Sequence, residues 1–168
     1  MFTIRCTRVL LDRLDVGPLP ADAVEPGTTL GDWYANILNV GRLRLLMCTS
    51  ERSLLTVLLP ARDLAGFPIR LRHAVAEVLP TLGISELQVA REVREMSWHQ
   101  LDRTRSRVVL GSMNDFAFMA DVHIREDGPG VDLSQVARML NRAPCSPIAY
   151  KSPDTFSLEL FRGSIPGD

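Results

Sequence analysis

Residues 111–115, Gly-Ser-Met-Asn-Asp, set a hydroxyl, a carboxamide and a carboxylate within five positions. Such a trio can hold an anion and move a proton. Ser112 and Asn114 would donate hydrogen bonds, and Asp115 would act as acid or base. The same spacing also starts a helix. Ser112 followed three residues on by Asp115 is a capping box, in which hydroxyl and carboxylate satisfy each other's backbone amides. The cap does not need Asn114. Met113, Phe116, Ala117, Ala120 and Ile124 would then share one apolar helical face.

A second dense stretch is LGDWYAN, residues 30–36. Asp32, Trp33, Tyr34 and Asn36 at a strand start would form a ledge for a ligand, because Trp and Tyr join large apolar area to a polar tip. The plainer reading is a core tryptophan beside a turn aspartate. His99, next to Trp98, is a candidate base. An enzyme built from these parts would pair Asp115 with Asp32 or His99 and hold a phosphate with Asn114 or Arg107. Arg103, Arg105 and Arg107 alternate, so on a strand they would share one face. That face would suit phosphate, including nucleic acid, or guard a solvated strand edge.

Several chemistries have no footing. GxSxG, Walker A, GxGxxG, HExxH and EF-hand patterns are absent from the chain. Cys6, Cys48 and Cys145 are far apart and form no CxxC. No disulfide framework, metal site or cofactor motif is read here, and the thiols are expected buried in a reducing compartment. The 168 residues are 46% hydrophobic and 23% charged with a net charge of -1. That composition folds, and it gives no general attraction to nucleic acid. Lys151 is the only lysine among 19 basic residues, an arginine bias spread along the whole chain. No run approaches the roughly 20 apolar residues of a membrane span, and the first residues lack a signal-peptide pattern. A soluble cytoplasmic protein is expected.

The elements that would position these groups follow from periodicity and punctuation. Residues 2–5 read as a strand, and Thr7 caps a short helix through Leu14. The Pro- and Gly-rich stretch 15–29 is a surface loop or arm. Residues 43–49 and 53–59 are apolar on both alternating faces, as central strands covered on both sides are, and Pro60 ends the second. Asp63 caps a helix closed by Pro80 and Gly83, and Ser85 with Gln88 opens another through about Met96. SWHQL and RSRVVLGS read as short strands. Asp132 with Gln135 starts a last amphipathic helix, and 162–168 is expected to fray. The expected class is α+β, a single domain over 1–168 with a central, mostly antiparallel sheet and packed helices.

On LGDWYAN at 30–36, SERSLLTVLLP at 50–60, GSMNDFAF at 111–118 and LNRAPCSPIAYKSP at 140–153, the chain resembles a family of small bacterial proteins classed as a domain of unknown function. That resemblance implies one bacterial cytoplasmic domain and supplies no catalytic residue. Residues 140–156 are also similar to the tail of insertion-sequence transposases, with Ala149 where a glycine recurs. No acidic triad accompanies it.

The function expected from these parts is a non-catalytic binding or regulatory module, using Trp33, Tyr34 and the 111–115 segment. The alternatives are a hydrolase or nuclease for a phosphate-bearing substrate, and a structural homodimer subunit.

Overall fold

A computed structural model describes residues 1–164. Five strands form one sheet in the order β4-β3-β2-β1-β5: β1 (Phe2–Cys6), β2 (Trp33–Val40), β3 (Leu43–Ser50), β4 (Thr56–Pro60) and β5 (His99–Arg103). The class is α+β and the sheet is mixed. β1 pairs in parallel with both β2 and β5, whereas β2, β3 and β4 form an antiparallel meander. The antiparallel half lies in consecutive, turn-linked segments. The parallel half joins segments far apart in the chain, so local pattern does not reveal it.

Helices cover both faces. Phe2, Ile4, Trp33, Leu46, Cys48 and Leu59 point to one side. There they meet Leu10 of α1 (Arg8–Leu14), Phe67, Leu71, Val75 and Leu79 of α2 (Phe67–Thr81), and Phe161 of α6 (Pro153–Gly163). Tyr34, Leu45, Met47 and Leu58 point to the other side. They pack on Val109, Met113, Phe116, Ala120 and Ile124 of α4 (Arg107–Asp127), and on Val136 and Leu140 of α5 (Leu133–Asn141). The doubly apolar strands expected at 43–49 and 53–59 therefore serve two cores at once.

Three local expectations are corrected. Asp63 sits at φ 47 and its side chain caps nothing; a 3-10 turn, Leu64–Gly66, precedes α2 instead. Pro80 lies inside α2 rather than ending it. The segment read as the strand RSRVVLGS holds the Ser106 N-cap and, from Arg107, the start of α4. Residues 15–32 hold no helix or strand. Their last part is tied down by Glu92 of α3 (Glu86–Glu95), which accepts from the amides of Thr29 (2.6 Å) and Leu30 (3.0 Å). Gly31 closes this turn at φ 79, where an added Cβ would stand 3.0 Å from Arg52 Cγ. Of the expected frayed tail, Arg162 and Gly163 belong to α6, and 165–168 lie outside the described residues.

Candidate functional site

Asp32 is fully buried, and its position follows from strand alternation. Thr3 and Arg5 of β1 turn away from Phe2, Ile4 and Cys6, toward the α4 side of the sheet. There the Thr3 amide donates to Asp32 Oδ1 (2.9 Å) and Arg5 Nε donates to Asp32 Oδ2 (2.9 Å). Arg5 Nη2 stands 2.8 Å from the same Oδ2, and both side chains are almost wholly inaccessible. Arg5 Nη1 reaches Asp102 of β5 at 3.0 Å. Arg105, half exposed, lies 3.6 Å from Asp32 and 3.4 Å from Glu51. The Tyr34 hydroxyl donates to Glu51 (3.3 Å) and accepts from the Ser106 amide (3.1 Å). Burial first, then the Glu51 charge, raises the Tyr34 pKa above its ordinary value. Asp32 is thus held in a guanidinium clamp that joins the starts of β2 and α4. A carboxylate with both oxygens already occupied by internal donors is a structural anchor rather than a base.

The rest of the ledge is equally occupied. Trp33 is sealed in the α2-side core. Asn36 Oδ1 accepts from the Thr7 hydroxyl (2.8 Å), so Thr7 is engaged across the sheet rather than capping α1. Phe2 and His99 are register partners, and their rings sit 6.3 Å apart on the α2 side. Partial burial, and then the positive charge of Arg72, lowers the His99 pKa. The sheet stands between His99 and Asp115, which lies on α4. Asp32, His99 and Asp115 are therefore in three separate places.

The capping-box reading of Ser112 is corrected. α4 is capped by Ser106, whose hydroxyl accepts from the Val109 amide (3.3 Å). Ser112 lies a turn and a half inside, buried, and its hydroxyl donates to the Val108 carbonyl (3.2 Å). Asn114 is exposed on the outer face of α4. The cap at Asp132 exists, but the carboxylate accepts from Ser134 rather than engaging Gln135.

Three of the expected site residues do share a surface. Arg107, Ser112 and Asp115 line a groove of about 680 Å³ between α4 and the 143–150 loop, together with Cys145 and Tyr150. The loop has an unusual backbone. Ala149 and Tyr150 are consecutive non-glycine residues at φ 56 and φ 60. Each such residue costs on the order of 1 kcal/mol, so surrounding bonds must hold it. Tyr150 donates to the Cys145 carbonyl (2.9 Å), Lys151 to that of Ile148 (3.1 Å), and Cys145 to that of Lys151 (3.0 Å). This bonding sets the Tyr150 ring at the groove lip with 74% of its surface exposed. Val108 (58% exposed) lines the same groove, and Phe118 (73%) and Val122 (38%) are exposed further along α4. Their spacing, with Gly111 and Asp115 between, keeps them on one side of the helix.

No thiol here is an activated nucleophile. Burial pushes the Cys6 pKa up to about 12, and raises that of Cys48 as well. Cys145 is raised by burial and then by the Asp115 charge. Among the described residues, no three His, Cys, Asp or Glu side chains are placed to hold a metal ion. None of their helices is long and apolar enough to cross a membrane. Sequence reasoning missed Arg5, Glu51, Asp102 and Tyr150. Only Arg5 carried a signal, a charge within an otherwise apolar strand. Tyr150 depends on loop geometry that composition does not encode.

Fold and site together define a three-layer α+β fold in which Asp32, His99 and Asp115 stand apart from one another. The chain belongs to the family described as a domain of unknown function, DUF6933, whose model matches residues 3–156. Comparison with curated proteins finds no match.

Proposed function

We propose that the chain is a non-catalytic binding or regulatory module that docks a protein partner on the outer face of α4 and the Tyr150 loop. The observation that carries this reading is the pair of exposed apolar side chains Val108 and Tyr150 lining the groove, with Phe118 and Val122 exposed further along the same side of α4. Exposed large apolar side chains on one surface mark interaction sites, and aromatic residues such as Tyr150 are frequent anchors in them. Arg107 and Asp115 supply polar contacts at the edge of the same surface. The hydrolase reading has less support, since it needs Asp115 beside Asp32 or His99. A single-domain organisation is supported by one sheet serving both cores. A cytoplasmic setting is supported by three buried free thiols.

The test is a pair of substitutions, Phe118→Glu and Tyr150→Ser, in the full chain. Affinity capture with wild type should enrich a protein that the double variant loses, at unchanged circular dichroism and Tm. Identical capture by both forms would refute the reading. Sedimentation velocity separates the remaining case. A wild-type dimer that the variant turns into a monomer makes the partner a second copy of this chain.

A further inference from the structure

β4 is an edge strand, and its outer side is closed everywhere except at one residue. The Ser50 amide donates to the Leu55 carbonyl (2.9 Å) and the Ala61 amide to the Arg44 carbonyl (3.0 Å). Odd-numbered positions therefore turn toward β3, and Thr56, Leu58 and Pro60 turn outward. At Thr56 the buried Asn141 carboxamide fills both backbone groups. Asn141 Oδ1 accepts from the Thr56 amide, and Nδ2 donates to its carbonyl, each at 2.8 Å. Pro60 has no N–H to offer, and its carbonyl accepts from Arg70 Nη1 (2.7 Å). Between them, the Leu58 amide and carbonyl have no partner among the described residues.

Leu58 lines a cavity of about 330 Å³ between α2 and α5, walled by Ala74, Val78, Leu82 and Ala137, with Glu77 and Arg138 also lining it. Buried backbone groups are almost always paired, so an open donor and acceptor side by side in an apolar cleft form a recognition surface. We infer that this cleft binds a small molecule carrying one planar carboxamide on an apolar body. The ligand's C=O accepts from the Leu58 amide and its N–H donates to the Leu58 carbonyl. It repeats, one outward position along, what the Asn141 side chain does at Thr56. A peptide strand is disfavoured. Strand addition needs backbone groups free at successive outward positions, and Asn141 and Pro60 close both neighbours. The site lies on the β4 edge and is independent of the α4 groove.

The test is a titration of the intact chain, watched by amide-resolved NMR, with 3-methylbutanamide and with its methyl ester analogue. The ester keeps the acceptor and loses the donor. The carboxamide should move the Leu58 amide downfield and perturb the Asn141 side-chain amide. The ester should bind about tenfold more weakly, because the Leu58 carbonyl stays unpaired. Thr81→Trp, at an exposed position on the rim, should abolish the Leu58 response while the rest of the spectrum shows an intact fold. Equal responses to amide and ester would overturn the inference. So would a Leu58 resonance that stays fixed at saturating carboxamide.

Discussion

Asp32 shows how a residue suited to catalysis serves stability. Its carboxylate neutralises Arg5 where neither can reach water. Removing one member of a buried pair costs about 3–5 kcal/mol where the other is left uncompensated, and less here, because Arg5 keeps Asp102. Asp32→Ala is expected to lose about 2–4 kcal/mol in urea denaturation. Adding Arg5→Met should recover part of the loss, giving a coupling energy clearly different from zero. Additive single effects would show that the pair is not coupled. Part of this is legible in the sequence, since Asp32 reads as a turn aspartate. Its partner is not, because Arg5 and Asp32 are 27 residues apart and meet only through the parallel pairing of β1 and β2.

At the scale of the element, α4 is the instructive case. Its apolar stripe is legible from Met113 onward but in fact begins at Val109. Gly111 looks like a break in the sequence, and RSRVVLGS alternates well enough to pass for a strand. Tertiary packing decides otherwise. Val109, one turn before Met113, extends the same stripe against Tyr34 and Met47. Gly111 is simply an exposed helical glycine, and a methyl group added there would meet nothing within 4 Å. The two serines now have distinct expected effects. Ser106→Ala removes a true N-cap and should cost about 1 kcal/mol. Ser112→Ala removes only a hydroxyl bonded back to Val108, and should change stability by less than about 0.5 kcal/mol. Thermal denaturation of the two variants checks this ranking, and the reverse order would restore the helix start to Ser112. Strands β3 and β4 are more legible, since their doubly apolar pattern has few alternatives.

At the scale of the whole molecule, Glu92 joins the end of the long 15–32 segment to α3. Burial raises its carboxyl pKa, with the Thr29 and Leu30 amides pulling the other way. The folded state then holds this proton more tightly than the unfolded chain does. Stability from Glu92 is fully present below the ordinary glutamate value, and falls as pH rises through the raised one. Denaturation free energies of wild type minus those of Glu92→Gln should therefore decline across that window and level off above it. A flat or rising difference would refute the assignment.

The place of β1 in the sheet also has a consequence in time. One side of β1 finds β2 soon after it is made, but Phe2 must wait for His99, 97 positions later, before the other side is filled. At about 5–20 residues per second, a ribosome imposes a delay of roughly 5–20 s. During that delay the meander of β2, β3 and β4 can close, yet the sheet ends in a bare apolar strand with an open ladder. Slower synthesis between residues 40 and 100 lengthens the time for which that ladder stays open.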